Sequence, residues 1–410
     1  MNTIKRIGTS PLIIFGAAFI TRLASATYIL SRYTTPQLLF TGNEPSHIAA
    51  ALVSGLGFSS PYAGAPAAPT AQQPPLYPSI LASVFKVFGI YTSESAWTAV
   101  VINVLAGAVT AVVLYYAGRL HFGETVGILA AWLWVLPWMF RFNSFSVSLT
   151  SSYLAALGIS ILLLWIPKTL EGDWEWFVLG IYSGLLVLLQ PALLPIALVY
   201  GAWLASSRAS SRHRLIAFAG LLLLMAPWIV RNYVTFGRFI PIRDNFGLEL
   251  WVGNRPGMQG TVDYSGDFPD HDPSTYARLG ELPFMDAKFS QAMEFIAGNP
   301  EGFLGRVGQR AVEFWYLPYF VPSIVVAIFG WLGAVLVLWN DRKQWVWLVM
   351  LVVFPAVYWV THNFPTYRHP IEPVVILLAS YCVGEILSRR NQSSSKEKVQ
   401  VLASSDSLLK

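Results

Sequence analysis

One acid and a scatter of arginines stand where the sequence leaves or enters long apolar runs. Glu44 lies in GNEPSH, just after the first run. A carboxylate at such a boundary suits a general base that takes a proton from a hydroxyl, a role worth about 10²- to 10⁴-fold in rate. The same position fits a helix start, because Asn43 or Glu44 precedes Pro45 and both a cap and an acid are favoured there. His47, one turn on, reads as a surface or hydrogen-bonding residue rather than a metal ligand. The stretch from Pro227 to Gly257 supplies Arg231, Arg238, Arg243 and Arg255. Guanidinium forks match phosphate oxygens, so Arg231 and Arg243 are candidates to hold an anionic group. Arg238 and Arg255 read as partners of Asp244 and Glu249; Arg243 has that same pairing as its alternative, and Arg231 that of reaching toward lipid headgroups. In THNFPTYRHPIEP, Arg368 and His369 follow His362 and Asn363 and precede Glu372, at the mouth of the last run. Ionisable groups there are functional candidates, with an Arg368–Glu372 pair as the structural alternative. Asp270 and Asp272, in DHDP, read as a solvated turn rather than a cation site. The sequence has no P-loop, Gly-x-Ser-x-Gly elbow, His-Glu-x-x-His or dinucleotide fingerprint.

The elements that must position these residues are membrane helices. Of 410 residues, 55% are hydrophobic and 12% charged, about half the charge of a soluble domain. Sixteen Trp and eighteen Tyr suit many water–lipid boundaries. Apolar runs near 10–31, 97–118, 124–141, 145–167, 176–190, 192–207, 214–230, 317–339, 344–361 and 371–388 predict about ten spans. With the N-terminus cytoplasmic, each inner loop receives Lys or Arg, including Arg119, Arg212 and Arg214, Arg342 and Lys343, and Arg389 and Arg390. This satisfies the positive-inside rule. The net charge of +5 therefore reports topology and not a nucleic-acid partner. Pro74 to Ile90 is apolar but opens with prolines and carries Lys86. Counting it as a span would reverse every later basic loop, so it reads as a helix lying on the outer face. The basic, apolar N-terminus reads as an uncleaved anchor. Cys382, the single cysteine, lies in an apolar run and excludes an intrachain disulfide.

The chain thus divides into a transmembrane core, 1–230, with a first outer loop at 32–96 and a second outer segment at 231–316. C-terminal transmembrane helices at 317–388 and a disordered cytoplasmic tail at 389–410 complete it. The second segment holds eleven of the 22 acidic residues. Both outer segments are too long for plain connectors.

Four stretches, GNEPSHIAAALVSGLGFSSPY, PPLYPSILASVFKVFGIYTSESAW, APWIVRNYVTFGRFIPIRDNFGLELWVGNRPG and THNFPTYRHPIEPVVILLASY, occur in that order over nearly the whole chain. Together they resemble the bacterial GT-C glycosyltransferases of the protein-mannosyltransferase and aminoarabinose-transferase superfamily. The resemblance implies an all-α polytopic GT-C fold with surface helices in the first outer loop. It also implies a sugar donor on a polyprenyl phosphate, and an acceptor that is a lipid, glycan or protein. On that pattern Glu44 activates the acceptor. Arg231, Arg243 and Arg368 hold the lipid phosphate, with His369, Asn245 and Tyr77 as further substrate-binding candidates. The site would face the outer side of the cytoplasmic membrane. Relatives often carry a further acid near the Glu44 position, a second one at the outer start of the fourth span, and charged residues before the first-loop prolines. Here those places hold Gly42 and Asn43, the stretch NSFSVSLTSS, and Gln72 and Gln73. The base therefore rests on Glu44 alone, and neither a metal nor another cofactor is expected. A lipid-binding carrier without catalysis would need the same arginines and no base. A secondary transporter fits less well, because no inverted repeat or pair of broken helices is visible.

Overall fold

Backbone groups in lipid must be paired within their own segment, which forces apolar runs into helix. The computed structural model describes residues 10–32, 34–62, 67–136, 147–165, 170–207, 210–258, 273–316 and 321–408. Among them no strand occurs, only an isolated bridge between Ser59 and Pro69. The first half runs α1 (Pro11–Arg32), α2 (Glu44–Val53), α3 (Leu76–Phe88), α4 (Ser93–Phe122), α5 (Glu124–Val135), α6 (Ser152–Leu163), α7 (Asp173–Leu189), α8 (Leu194–Ser207) and α9 (Ser211–Phe236). The second continues with α10 (Phe246–Asn254), α11 (Pro273–Leu279), α12 (Glu281–Gly298), α13 (Pro300–Tyr316), α14 (Val321–Asn340), α15 (Val346–Val353), α16 (Ala356–Val360) and α17 (Glu372–Leu408).

Each of the ten apolar runs carries helix. Among the described residues, six helical stretches are long and apolar enough to cross a membrane: Pro11–Arg32, Ser93–Phe122, Ser211–Phe236, Val321–Asn340, Arg342–Val360 and Pro365–Arg390. The chain is a multi-pass membrane protein. α3, at 13 residues, rises about 20 Å, short of an apolar layer of about 30 Å. Its length agrees with a helix that does not span.

α4 is the central post, with α1, α3, α5, α6 and α17 packed around it. Helices in lipid associate by close packing of small residues, and two pairs here do so. A Cβ on Gly180 would collide with the Ala217 backbone and one on Gly220 with the Phe177 backbone, which brings α7 and α9 together. Gly333 against Leu378 does the same for α14 and α17.

The basic stretches gather at one end. His121 at the foot of α4 meets Trp347 at 5.1 Å, Phe122 meets Tyr381 at 4.5 Å, and Trp203 Nε1 donates to the Lys343 carbonyl at 2.6 Å. The opposite ends of α4 and α9 lead into the two long polar segments. α17 continues as helix past Arg389 to Leu408, where composition predicts a disordered tail. A helix begun on a buried first half needs no new nucleus, and propagation adds one hydrogen bond per residue.

Candidate active site

The two polar segments close on each other through four residues, Thr70 to Gln73. The Ser59–Pro69 bridge, with Thr70 N–H donating to the Phe58 carbonyl at 3.1 Å, fixes this strip beside α2. The Thr70 carbonyl accepts from Arg231 at 2.7 Å. Ala71 N–H donates to Glu281, and the Ala71 carbonyl accepts from the Asp244 N–H at 3.2 Å. Gln72 and Gln73 both turn their carboxamides to Glu44.

Glu44 occupies the first turn of α2, but the cap is Asn43. Its side chain accepts from Ser46 N–H at 3.0 Å and donates to the Leu149 carbonyl at 2.9 Å. The two sequence readings of GNEP therefore separate: Asn43 caps, and the Glu44 carboxylate is turned toward the first-loop strip. Gln72 Nε2 donates to Glu44 Oε1 at 3.0 Å and to the Tyr62 hydroxyl at 2.7 Å. Tyr62 in turn stands edge-on to Tyr276 at 4.8 Å, and Tyr276 donates to Glu281. Burial pushes the Tyr62 hydroxyl above its ordinary range. Glu44 raises it further, as do Glu281 and Glu249. Through Gln72 on one side and Tyr276 on the other, Tyr62 thus stands between Glu44 and Glu281.

Glu249 belongs to α10 and gathers a second cluster. It accepts from Arg243 at 3.3 Å and from Asn245 Nδ2 at 2.6 Å, and it lies 3.5 Å from His362 Nδ1. Burial pushes the His362 imidazole down despite Glu249, so this last contact is not an ion pair. Arg243 Nε has no partner among the described residues. With Asp244 and Arg238 it lines a hollow of about 260 Å³. Both carboxyl oxygens of Asp244 are buried without a donor among the described residues. Burial and then Glu281 push that acid up to about 8.

Two of the remaining predicted residues, Arg231 and Arg368, hold backbone carbonyls. Arg231 donates to the carbonyls of Thr70 and Phe58, at 2.7 and 2.9 Å, and its guanidinium lies 5.0 Å from the Trp228 ring. Arg368 is 1% exposed. It pairs with Glu372 at 2.5 Å and donates to the Trp315 and Ser323 carbonyls, so the structural alternative describes its contacts. His369 is buried against Tyr153 and Trp134, with ring centroids 4.2 and 5.5 Å away. Asn245 serves Glu249. Tyr77 is buried in the apolar core, its hydroxyl without a partner among the described residues. Asp270 and Asp272 lie outside the described residues. Arg238 pairs with Asp286 at 2.8 and 2.9 Å rather than with Asp244 or Glu249.

The sequence left Tyr62, Glu281 and Arg310 unmarked, and marked Glu249 only as a partner for arginines. Arg310, fully buried, donates to the Gly253 carbonyl at 2.9 Å, to Asn254 Oδ1 at 2.9 Å and to the Thr361 carbonyl, which locks the His362 turn onto α10. A signal did exist in α13, where Arg310 and Glu313 share one face of an amphipathic helix.

The family model described as dolichyl-phosphate-mannose-protein mannosyltransferase matches residues 72–230, from Gln72 to the residue before Arg231. A crystal structure of the Archaeoglobus fulgidus oligosaccharyltransferase, in complex with Zn and sulfate, superposes with a TM-score of 0.54 at 13% identity, over 96% of this chain and 51% of that one. It has the GT-C glycosyltransferase fold. The apo form of the same archaeal protein gives 0.54 and 13% over 95% and 52%. ArnT from Cupriavidus metallidurans, bound to undecaprenyl phosphate, gives 0.43 and 15% over 91% and 77%. The chain spans about half the length of the archaeal oligosaccharyltransferase. No curated protein matches it in sequence. Of the GT-C site residues expected from sequence, only Tyr77 lies inside the family match, together with the Gln72–Gln73 pair.

Proposed function

We propose that this GT-C protein transfers a sugar from a polyprenyl-phosphate donor to an acceptor lipid, glycan or protein on the outer face of the cytoplasmic membrane. The observation that carries the reading is the hydrogen-bonded join of the two outer segments at Thr70 to Gln73, where Gln72 and Gln73 hold Glu44 while Arg231 and Glu281 of the second segment hold Thr70 and Ala71. A sugar hydroxyl is a poor nucleophile, and Glu44 takes its proton as the new glycosidic bond forms. The sugar's bond to the phosphate breaks on the opposite face, which inverts the anomeric centre. Charge then collects on the departing phosphate, where preorganised donors stabilise it most. Of the three predicted phosphate-binding arginines, Arg243 is the one whose guanidinium holds no carbonyl: it pairs with Glu249 and lines the hollow beside Asp244. Arg231 and Arg368, whose guanidinium groups hold carbonyls, keep the site in shape.

Several features support a lipid-borne donor on the outer side. An apolar groove of about 630 Å³ between α13 and α14 is lined by Ala311, Trp315, Trp331 and Trp359. Ala311 and Trp359 adjoin Arg310 and Thr361, which together hold the His362 turn. A chain lying in that groove would bring its headgroup toward Glu249 and Arg243. The basic loops at the other end of the bundle favour an outward site, and the family match names a dolichyl-phosphate sugar.

The test is sugar release from labelled polyprenyl-phosphate sugars by the purified protein in nanodiscs. Release by the wild-type protein with a 10²- to 10⁴-fold loss in Glu44→Gln is the expected result. Full activity in that variant would discard the base. Binding of the lipid with no release at all would leave a carrier.

A further inference from the structure

Both oxygens of the Glu44 carboxylate are held by one dipeptide. Gln72 Nε2 donates to Oε1 at 3.0 Å, and Gln73 Nε2 donates to Oε2. A carboxylate only accepts, so these contacts fix which end of each amide faces Glu44. Gln72 gives its second N–H to the Tyr62 hydroxyl at 2.7 Å, its backbone N–H goes to Thr70 Oγ1 at 3.0 Å, and the residue is 1% exposed. The strip that carries both amides is itself pinned from the second outer segment by Glu281 and Asp244 at Ala71, and by Arg231 at Thr70.

We propose that Gln72 and Gln73 are positioning residues that keep the Glu44 carboxylate ionised and aimed in one direction, ready to accept the proton of the acceptor hydroxyl. The proposal rests on Glu44 being the base. Its physical need is clear from the surroundings. Glu44 is half-buried beside Ala71 and Gln72, which are fully buried, and loss of water disfavours a carboxylate's charge. Hydrogen bonds to the charged form favour that form, and bonds to an ion are roughly twice as strong as neutral ones.

Two readouts on the full-length protein in nanodiscs test this. The first is the pH dependence of sugar release from a labelled polyprenyl-phosphate sugar by wild type, Gln73→Ala and Gln72→Glu. Gln73 is half-buried, so Gln73→Ala should fold; Gln72→Glu sets a buried carboxyl beside Glu44, and its fold is checked by tryptophan fluorescence. The acidic limb is expected to move upward by about one pH unit or more in each. The second readout needs no turnover. It is an infrared pH titration of ¹³C-glutamate-labelled protein with the Glu44→Gln spectrum subtracted, and its midpoint should move in the same direction. A purely structural role would lower the rate at every pH and leave limb and midpoint in place, which overturns the proposal. If the midpoint moves but no protein releases sugar, the clamp stands and the transferase reading fails. Release with an unmoved limb and midpoint fails the clamp and keeps the transferase.

Discussion

Asp244 is built to make the outer segments less stable as pH rises, and Asp244→Asn should reverse this. In the folded protein burial and Glu281 push its carboxyl from 3.8 up to about 8. Below pH 4 the acid is protonated in folded and unfolded chains alike, and it costs nothing. Between pH 4 and 8 the unfolded chain ionises while the folded one keeps its proton, so stability falls steadily and levels off above 8. A gap of about four units corresponds to at most ~5 kcal/mol, and movement of Glu281 or entry of water would relieve part of it. Asparagine has the same shape, carries no charge, and can donate to Glu281. The Asp244→Asn protein should therefore melt with wild type at pH 4 and a few degrees above it at pH 8, followed by the thermal loss of intrinsic tryptophan fluorescence in nanodiscs. Equal melting at both pH values, or a variant less stable at pH 8, would refute the account of the Asp244–Glu281 contact.

Arg243→Ala should lower turnover by about 10²- to 10³-fold, the usual effect of losing one preorganised donor, with the melting temperature little changed. Arg231→Met should do the reverse. It leaves two carbonyls of the first outer segment without their donor, at about 1–3 kcal/mol each, so the folded yield should fall while KM for the donor lipid in the surviving protein stays constant. Gly253→Ala places a methyl group against the Thr361 carbonyl and the Arg310 guanidinium. Overpacking of this kind costs typically 1–3 kcal/mol, which a lowered melting temperature would register.

The helices were legible because lipid leaves the backbone so few options, and every apolar run read from composition carries helix. Depth was harder to read. α5 and α6, twelve residues each, are shorter than the runs that predicted them, and residues 137–146 between them lie outside the described residues. The arginines divide for a plain reason. Beside an apolar run, a guanidinium that meets phosphate and one that meets carbonyls have the same sequence context. The carbonyls of Arg231 lie 161 and 173 residues away, and no local pattern announces them. Glu44 was legible as a single acid in an acid-poor segment. Gln72, Tyr62 and Glu281 acquire meaning only when the chain brings them together.

The strip from Thr70 to Gln73 also carries a temporal consequence. During synthesis it emerges from the ribosome long before the residues that pin it, since Arg231 follows Thr70 by 161 positions and Glu281 follows Ala71 by 210. At ordinary translation speeds that delay is about 10 to 40 s for Glu281. The loop must wait in a loose state while the nine described helices α3 to α11 are made, and a nascent chain cut short anywhere before residue 281 would present Glu44 with an unfastened set of partners.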